Sequence, residues 1–294
     1  MFRNLNLEGL GVSGRQSELI EWTLSYGFKG FDLNLPEFKR QVETTGLERT
    51  QRLIAGAKLK FGAFELPVRW QGDEETFRSD LAALPPWAEL AVALGCLRAT
   101  TTIEPAGDIR PYHENFELGR RRCAEIATAL QPYNIRLGLA FVAPAAARRD
   151  RAFQFIHTAD ALTTFARTTG AANVGIVLDI WQWHVAGGTW DQMQAVAASD
   201  IVSVLLADAT TEAGRDDVAE TTRVLPGENG TIDAVAALSH LAAIGYDGPV
   251  TPNPHPSRFA GQKREDIVKL TAQALDKVWQ TAGLSKSGRL SVGA

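Results

Sequence analysis

The stretch Asn173-Val174-Gly175-Ile176-Val177-Leu178-Asp179-Ile180-Trp181-Gln182-Trp183-His184 decides the fold. Its first seven residues form a short apolar run rich in β-branched side chains and ending on a carboxylate, the pattern of a buried strand in a parallel sheet. Outward from it the pattern repeats in both directions. Strands are expected at 5–12, 30–33, 59–64, 96–102, 135–142, 174–179, 201–208 and 248–251. Between and after them, helical periodicity covers 17–26, 38–57, 87–94, 115–130, 159–168, 190–198, 232–244 and 264–279. Gly27, Gly95, Gly170 and Gly245 each follow a helical run at a position suited to a left-handed C-cap, and Pro85-Pro86 stand where a helix can start but not continue. Eight strands, each followed by a helix, with no linker or composition break, predict an α/β chain folded as one (β/α)8 barrel over 1–284, with a flexible Gly- and Ser-rich tail at 285–294. A doubly wound open sheet fits less well, because no GxGxxG follows the first strand.

Composition excludes several function classes. The 294 residues are 45% hydrophobic and 22% charged, and the formal charge of −4 is spread over both signs without a basic block, which argues against a nucleic-acid surface. No apolar run approaches the roughly 20 residues of a membrane span. The start, Met1-Phe2-Arg3-Asn4, lacks the apolar core of a signal peptide, so a cytoplasmic location is expected. Cys96 and Cys123 have no CxxC spacing or nearby ligand cluster and read as reduced core or helix residues.

The segments Gly30-Phe31-Asp32-Leu33, Ile135-Arg136-Leu137-Gly138-Leu139, Asn173 to Asp179, Ala207-Asp208-Ala209, Leu225-Pro226-Gly227-Glu228 and Gly245-Tyr246-Asp247-Gly248-Pro249-Val250 occur in an order that resembles the xylose isomerase-like TIM barrels, the sugar phosphate isomerase/epimerase family. The resemblance implies a divalent cation, often manganese, magnesium or cobalt, held by two Glu, one Asp and one His at four strand ends. In that chemistry the cation polarises a carbonyl while the glutamates move a proton between neighbouring carbons. The corresponding positions here are Ala140, Asp179, Leu205 and Asn253, and a further family His is Gln182. One carboxylate and one amide make a poor cage for a hard cation. No metal or other cofactor is therefore expected, and the family mechanism is expected not to operate.

Ligands of such barrels sit at the carboxyl ends of the strands. Acid/base candidates are Asp179, His184, Glu65 and Glu104, the last two as replacements for the missing glutamates, since a carboxyl confined among Trp70, Trp181 and Trp183 would have its pKa raised by desolvation. The plain alternative is that Glu65 and Glu104 pair with Arg69 or Arg98. Substrate contacts are expected from Arg223, which matches a family position that grips substrate oxygens, and from Trp181, Trp183, Asp208, Asn253, His255 and Asp32. His184 and His255 fit a cap or loop anchor equally well, structural use is somewhat favoured for Asp208, and Trp190 reads as core. His113, His157 and His240 lie away from strand ends. The expected function is metal-independent isomerase, epimerase or lyase chemistry on a sugar-like or hydroxy-carbonyl molecule. The alternatives are a non-catalytic relative that binds a small polar ligand or partner subunit, and, with least support, a metal isomerase with substitute ligands Glu65, Glu104, Asp179 and Asp208. Barrels of this kind often pair, so a homodimer is a further expectation.

Overall fold

Leu137, Leu139, Ile176, Leu178, Val204 and Leu206 alternate along three neighbouring strands and are all within 2% of complete burial. Residues two apart share a face, so this set packs outward onto helices and the residues between them face inward. The inward side is tightly filled at its base. A Cβ built on Gly138 would come within 3.0 Å of Val202 and 3.2 Å of Val177.

The computed structural model describes residues 1–210 and 218–290. Phe2–Leu5 pairs with Gly30–Phe31 on one side and Pro249–Pro252 on the other. The parallel ladder continues through Ile201–Leu206, Val174–Asp179, Arg136–Ala140 and Arg98–Thr102 to Phe64–Glu65, while Gly30–Phe31 pairs with Lys60–Phe61. Lys60–Phe61 and Phe64–Glu65 are halves of one strand, interrupted at Gly62-Ala63, so nine segments make eight staves and the chain itself closes the ring. The (β/α)8 barrel expected from the alternation is the fold. Its helical layer runs from Gln16–Ser25 to Arg264–Thr281.

Several boundaries differ from expectation for identifiable reasons. The first stave is Phe2–Leu5, not 5–12, because the chain beyond Leu7 turns at Gly11 (φ 68°) and the apolar Leu10 and Val12 are buried as loop. The helix expected at 87–94 starts at Glu74, capped by Asp73, and runs to Leu94 through Pro85 and Pro86. The carbonyl that Pro86 leaves without an N–H belongs to Ala82, which is exposed, so water can take its place. The span 38–57 divides at Gly46 (φ 85°) into Leu35–Thr45 and Leu47–Ala57. Gly27, Gly95, Gly170 and Gly245 all have φ between 70° and 86°, as the cap pattern requires. Both cysteines are free and fully buried, and burial pushes the Cys96 thiol up to about 12. The described part of the C-terminal tail folds back on the barrel: the Trp279 indole donates to the Ser285 carbonyl (2.9 Å), and Gly288 packs against the Met1 carbonyl. Positions 291–294 lie outside the described residues. Among the described residues no helix is long and apolar enough to cross a membrane.

Candidate functional site

Strand register decides which side chains meet at the barrel mouth. Ile201 pairs with Ile176 but Ser203 pairs with Val177, so one extra residue enters at Val202 and reverses the parity of this stave. Leu205 then pairs with Asp179 on one side and Thr251 on the other, and it shares their inward face. Asn253, two residues beyond Thr251, and Ala140, two beyond Gly138, belong to the same face. The four positions that the family resemblance assigns to a metal thus present a methyl, one carboxylate, an isobutyl group and an amide. They do not fit a divalent cation. Among the described residues no group of three or more His, Cys, Asp or Glu is arranged to hold one elsewhere.

Asp179 is buried and its carboxylate is partly committed. Oδ1 accepts the backbone N–H of Trp181 (3.0 Å) and of Gln182 (3.1 Å), which caps the short helix Ile180–Val185, and Asn253 Nδ2 lies 3.5 Å from Oδ2. Burial pushes its carboxyl above the ordinary range, opposed mainly by the positive charge of Arg223. Gln182 accepts the Ala143 N–H (2.7 Å) and so ties the exit of the fifth stave to this helix.

A second inward carboxylate is Asp32, which the sequence marks as a substrate contact. Asp32 Oδ1 accepts from Asn4 Nδ2 (2.7 Å) and from the Ala63 N–H (3.1 Å), and Asn4 Nδ2 also donates to Thr251 Oγ1 (2.9 Å). Gly62 is required here, because a Cβ would sit 2.4 Å from Asp32 Oδ1. Half-buried against neutral groups, the Asp32 carboxyl is pushed up to about 6 by desolvation, with bonds from Asn4, Ala63 and Asn6 opposing the rise. The sequence signal was the carboxylate leaving the second strand. Its neighbours Asn4, Gly62 and Thr251 come from three other staves.

Arg223 enters from a small antiparallel ladder, Asp208–Ala209 with Arg223–Val224. Its guanidinium carbon lies 5.5 Å from the ring centroid of Trp181, which is wholly buried. Asp208 is also fully buried, and its two oxygens accept four backbone N–H groups, from Ala209, Asn229, Gly230 and Ile232. That leaves it anchoring a loop rather than presenting a carboxylate to a ligand. Trp183 donates its indole N–H to the Thr189 carbonyl and packs under Gly188, a core position. His255 accepts the Ser257 N–H at Nδ1 and so caps the turn Pro256–Phe259. His184 is half-buried in the helix that Asp179 caps.

Glu65 pairs in register with Thr100 at the rim and is exposed, as is Glu104, whose N–H donates to Gln71 Oε1. The arginines weighed as their partners are engaged elsewhere: Arg69 with Asp80 (2.8 Å), and Arg98 3.9 Å from Asp247. Trp190, expected as core, is 38% exposed and meets His240 edge-on.

The chain matches the family model described as xylose isomerase-like TIM barrel over residues 20–278. No curated protein matches it. Among solved structures, a xylose isomerase domain protein from Alicyclobacillus acidocaldarius superposes with a TM-score of 0.84 at 25% identity, over 95% of this chain and 98% of that one. A structure of the IOLI protein with a binding zinc atom gives 0.79 at 16% identity, over 96% and 99%. An L-ribulose 3-epimerase gives 0.69 at 17% identity, over 96% and 95%. The last two likenesses speak to the fold alone. With a closed ring of eight parallel staves and a family match that runs across it, this chain belongs to the xylose isomerase-like TIM barrel family.

Proposed function

We propose that this barrel is a metal-independent isomerase or epimerase of hydroxy-carbonyl small molecules, with Asp32 and Asp179 as its acid and base. The observation that carries the reading is the placement of the Asp32 carboxyl, half-buried at a strand exit and held by the Asn4 amide and the Ala63 N–H, where desolvation pushes it up to about 6. A group poised near neutrality is what proton transfer at carbon requires. Exposure sets Glu65 and Glu104 apart, since water surrounds both. In the proposed reaction Asp32 takes the proton from the carbon beside the carbonyl, the C–H electron pair becomes the C=C bond, and the carbonyl π pair moves onto oxygen to give an enediolate. The Asp179 carboxyl and the Asn253 amide, side by side, face the developing oxyanion. Returning that proton to the neighbouring carbon, with a hydroxyl proton passed between the two oxygens through Asp179, isomerises the substrate, whereas delivery of a proton from the protonated Asp179 to the opposite face of the original carbon epimerises it.

Proton NMR of ketoses and aldoses in deuterated buffer containing EDTA tests the reading. The expected result is protein-dependent loss of a C–H signal, insensitive to EDTA and faster as pH rises through about 6, with Asp32→Asn slowing it at least about 100-fold. Exchange that needs added manganese or zinc would overturn the proposal. So would ligand binding without exchange, which marks a non-catalytic relative.

A further inference from the structure

Among the described residues, two buried hydrogen-bond donors beside the strand exits have no acceptor. Arg223 is 9% exposed and its Nε is buried without a partner. Among the described residues the carboxylate paired with Arg223 is Glu220, which approaches Nη2 at 3.7 Å and is itself 43% exposed. The indole Nε1 of Trp181, beside the guanidinium, is likewise buried and unpartnered. A buried donor left without an acceptor is destabilising, and more so when it is charged. Two such donors on touching side chains therefore mark a place where an acceptor belongs.

The charge around them narrows what that acceptor is. A hydroxyl oxygen would leave the buried guanidinium charge only loosely balanced by Glu220. A phosphate dianion would meet Asp179, whose field already reaches Arg223, and Glu220 as well. A planar monoanion fits, with one oxygen for the guanidinium and one for the indole N–H. Leu205 and Asn253, on the inner wall beside Asp179, add no negative charge against it.

We infer that Arg223 and Trp181 form a carboxylate-anchoring subsite, so that the substrate is a sugar acid or another hydroxy-carbonyl acid rather than a neutral sugar. This rests on the proposed proton-transfer reading for the rest of the mouth. Glu220 acts as a loose placeholder that an incoming carboxylate displaces.

Calorimetric titration with sodium gluconate, sodium glucuronate and their uncharged counterparts glucitol and glucose tests the subsite. The acids are expected to bind at least about tenfold tighter than the neutral members, the worth of one charge-assisted hydrogen bond. Arg223→Gln should remove that preference, Trp181→Phe should reduce it several-fold, and Glu220→Gln should strengthen acid binding. The Glu220 variant keeps the test decisive if the Arg223 variant does not fold. Equal binding of acid and neutral probes, or no binding of the acids at millimolar concentration, would overturn the subsite. Chelator-insensitive exchange on neutral ketoses without acid preference would sink the subsite and leave the isomerase reading standing. Tight acid binding with no exchange on any acid would do the reverse.

Discussion

The raised Asp32 carboxyl has a consequence for stability. Below about pH 3.8 the folded and unfolded chains both carry its proton, while between there and about 6 only the folded chain does. Stability contributed by this group therefore falls as pH rises through that window and stays low above it. At about 1.4 kcal/mol per pKa unit the ceiling of the effect is roughly 3 kcal/mol. Asp32→Asn keeps an oxygen for Asn4 Nδ2 and the Ala63 N–H. In urea unfolding it should gain about 1–2 kcal/mol at pH 7.5 and little at pH 4, while activity is lost. A loss of stability at both pH values would make Asp32 a structural residue. Gly62 belongs to the same arrangement, since any side chain there would displace the carboxylate.

At the scale of elements, the segment 225–232 shows how a sequence motif can serve structure. Glu228 accepts the Leu225 N–H and pairs with Arg258 at 2.8 Å, while Asp208 gathers the N–H groups of Asn229, Gly230 and Ile232. The ladder that carries Arg223 begins at Asp208, so the loop anchor and the Arg223 guanidinium share one support. Asp208→Ala would leave four N–H groups without their acceptor. The expected cost is about 3–5 kcal/mol, read as a lowered urea midpoint, together with weaker gluconate binding because Arg223 loses its platform. An unchanged midpoint would show that water replaces the carboxylate. The short helix after Asp179 has the same logic: its cap, Asp179 Oδ1, and its cross-tie, Gln182 to Ala143, hold Trp181 in place.

At the scale of the whole molecule, Ala140, Asp179, Leu205 and Asn253 converge only because four staves close into a ring and one bulge turns Leu205 inward. Combining Ala140→Glu, Leu205→His and Asn253→Glu should therefore create a cation site. Emission spectrometry is expected to find about one manganese or zinc per chain in the variant and no stoichiometric metal in the parent, with a chelator-reversible rise in Tm for the variant alone. A folded variant that takes up no metal would show that the four positions do not converge. The ring itself was legible in the sequence, as was the placement of Asp179, because strand alternation and glycine caps are properties of neighbours along the chain. The sequence also marked Asp32 as a carboxylate at a strand exit, but not its ionisation. That depends on the burial that segments far apart in the chain impose on it, set against the bonds from Asn4 and Ala63. The same limit applies to Asp208, whose loop-anchoring role rests on three N–H groups 21 to 24 positions away, and to the donors of Arg223 and Trp181 that lack a partner among the described residues. The sequence by itself determined the barrel, its order of staves and the chemistry available at each strand end. Only the tertiary structure decided which of those groups are desolvated, satisfied or left without a partner, because solvent exclusion and hydrogen-bond partners arise between segments far apart in the chain.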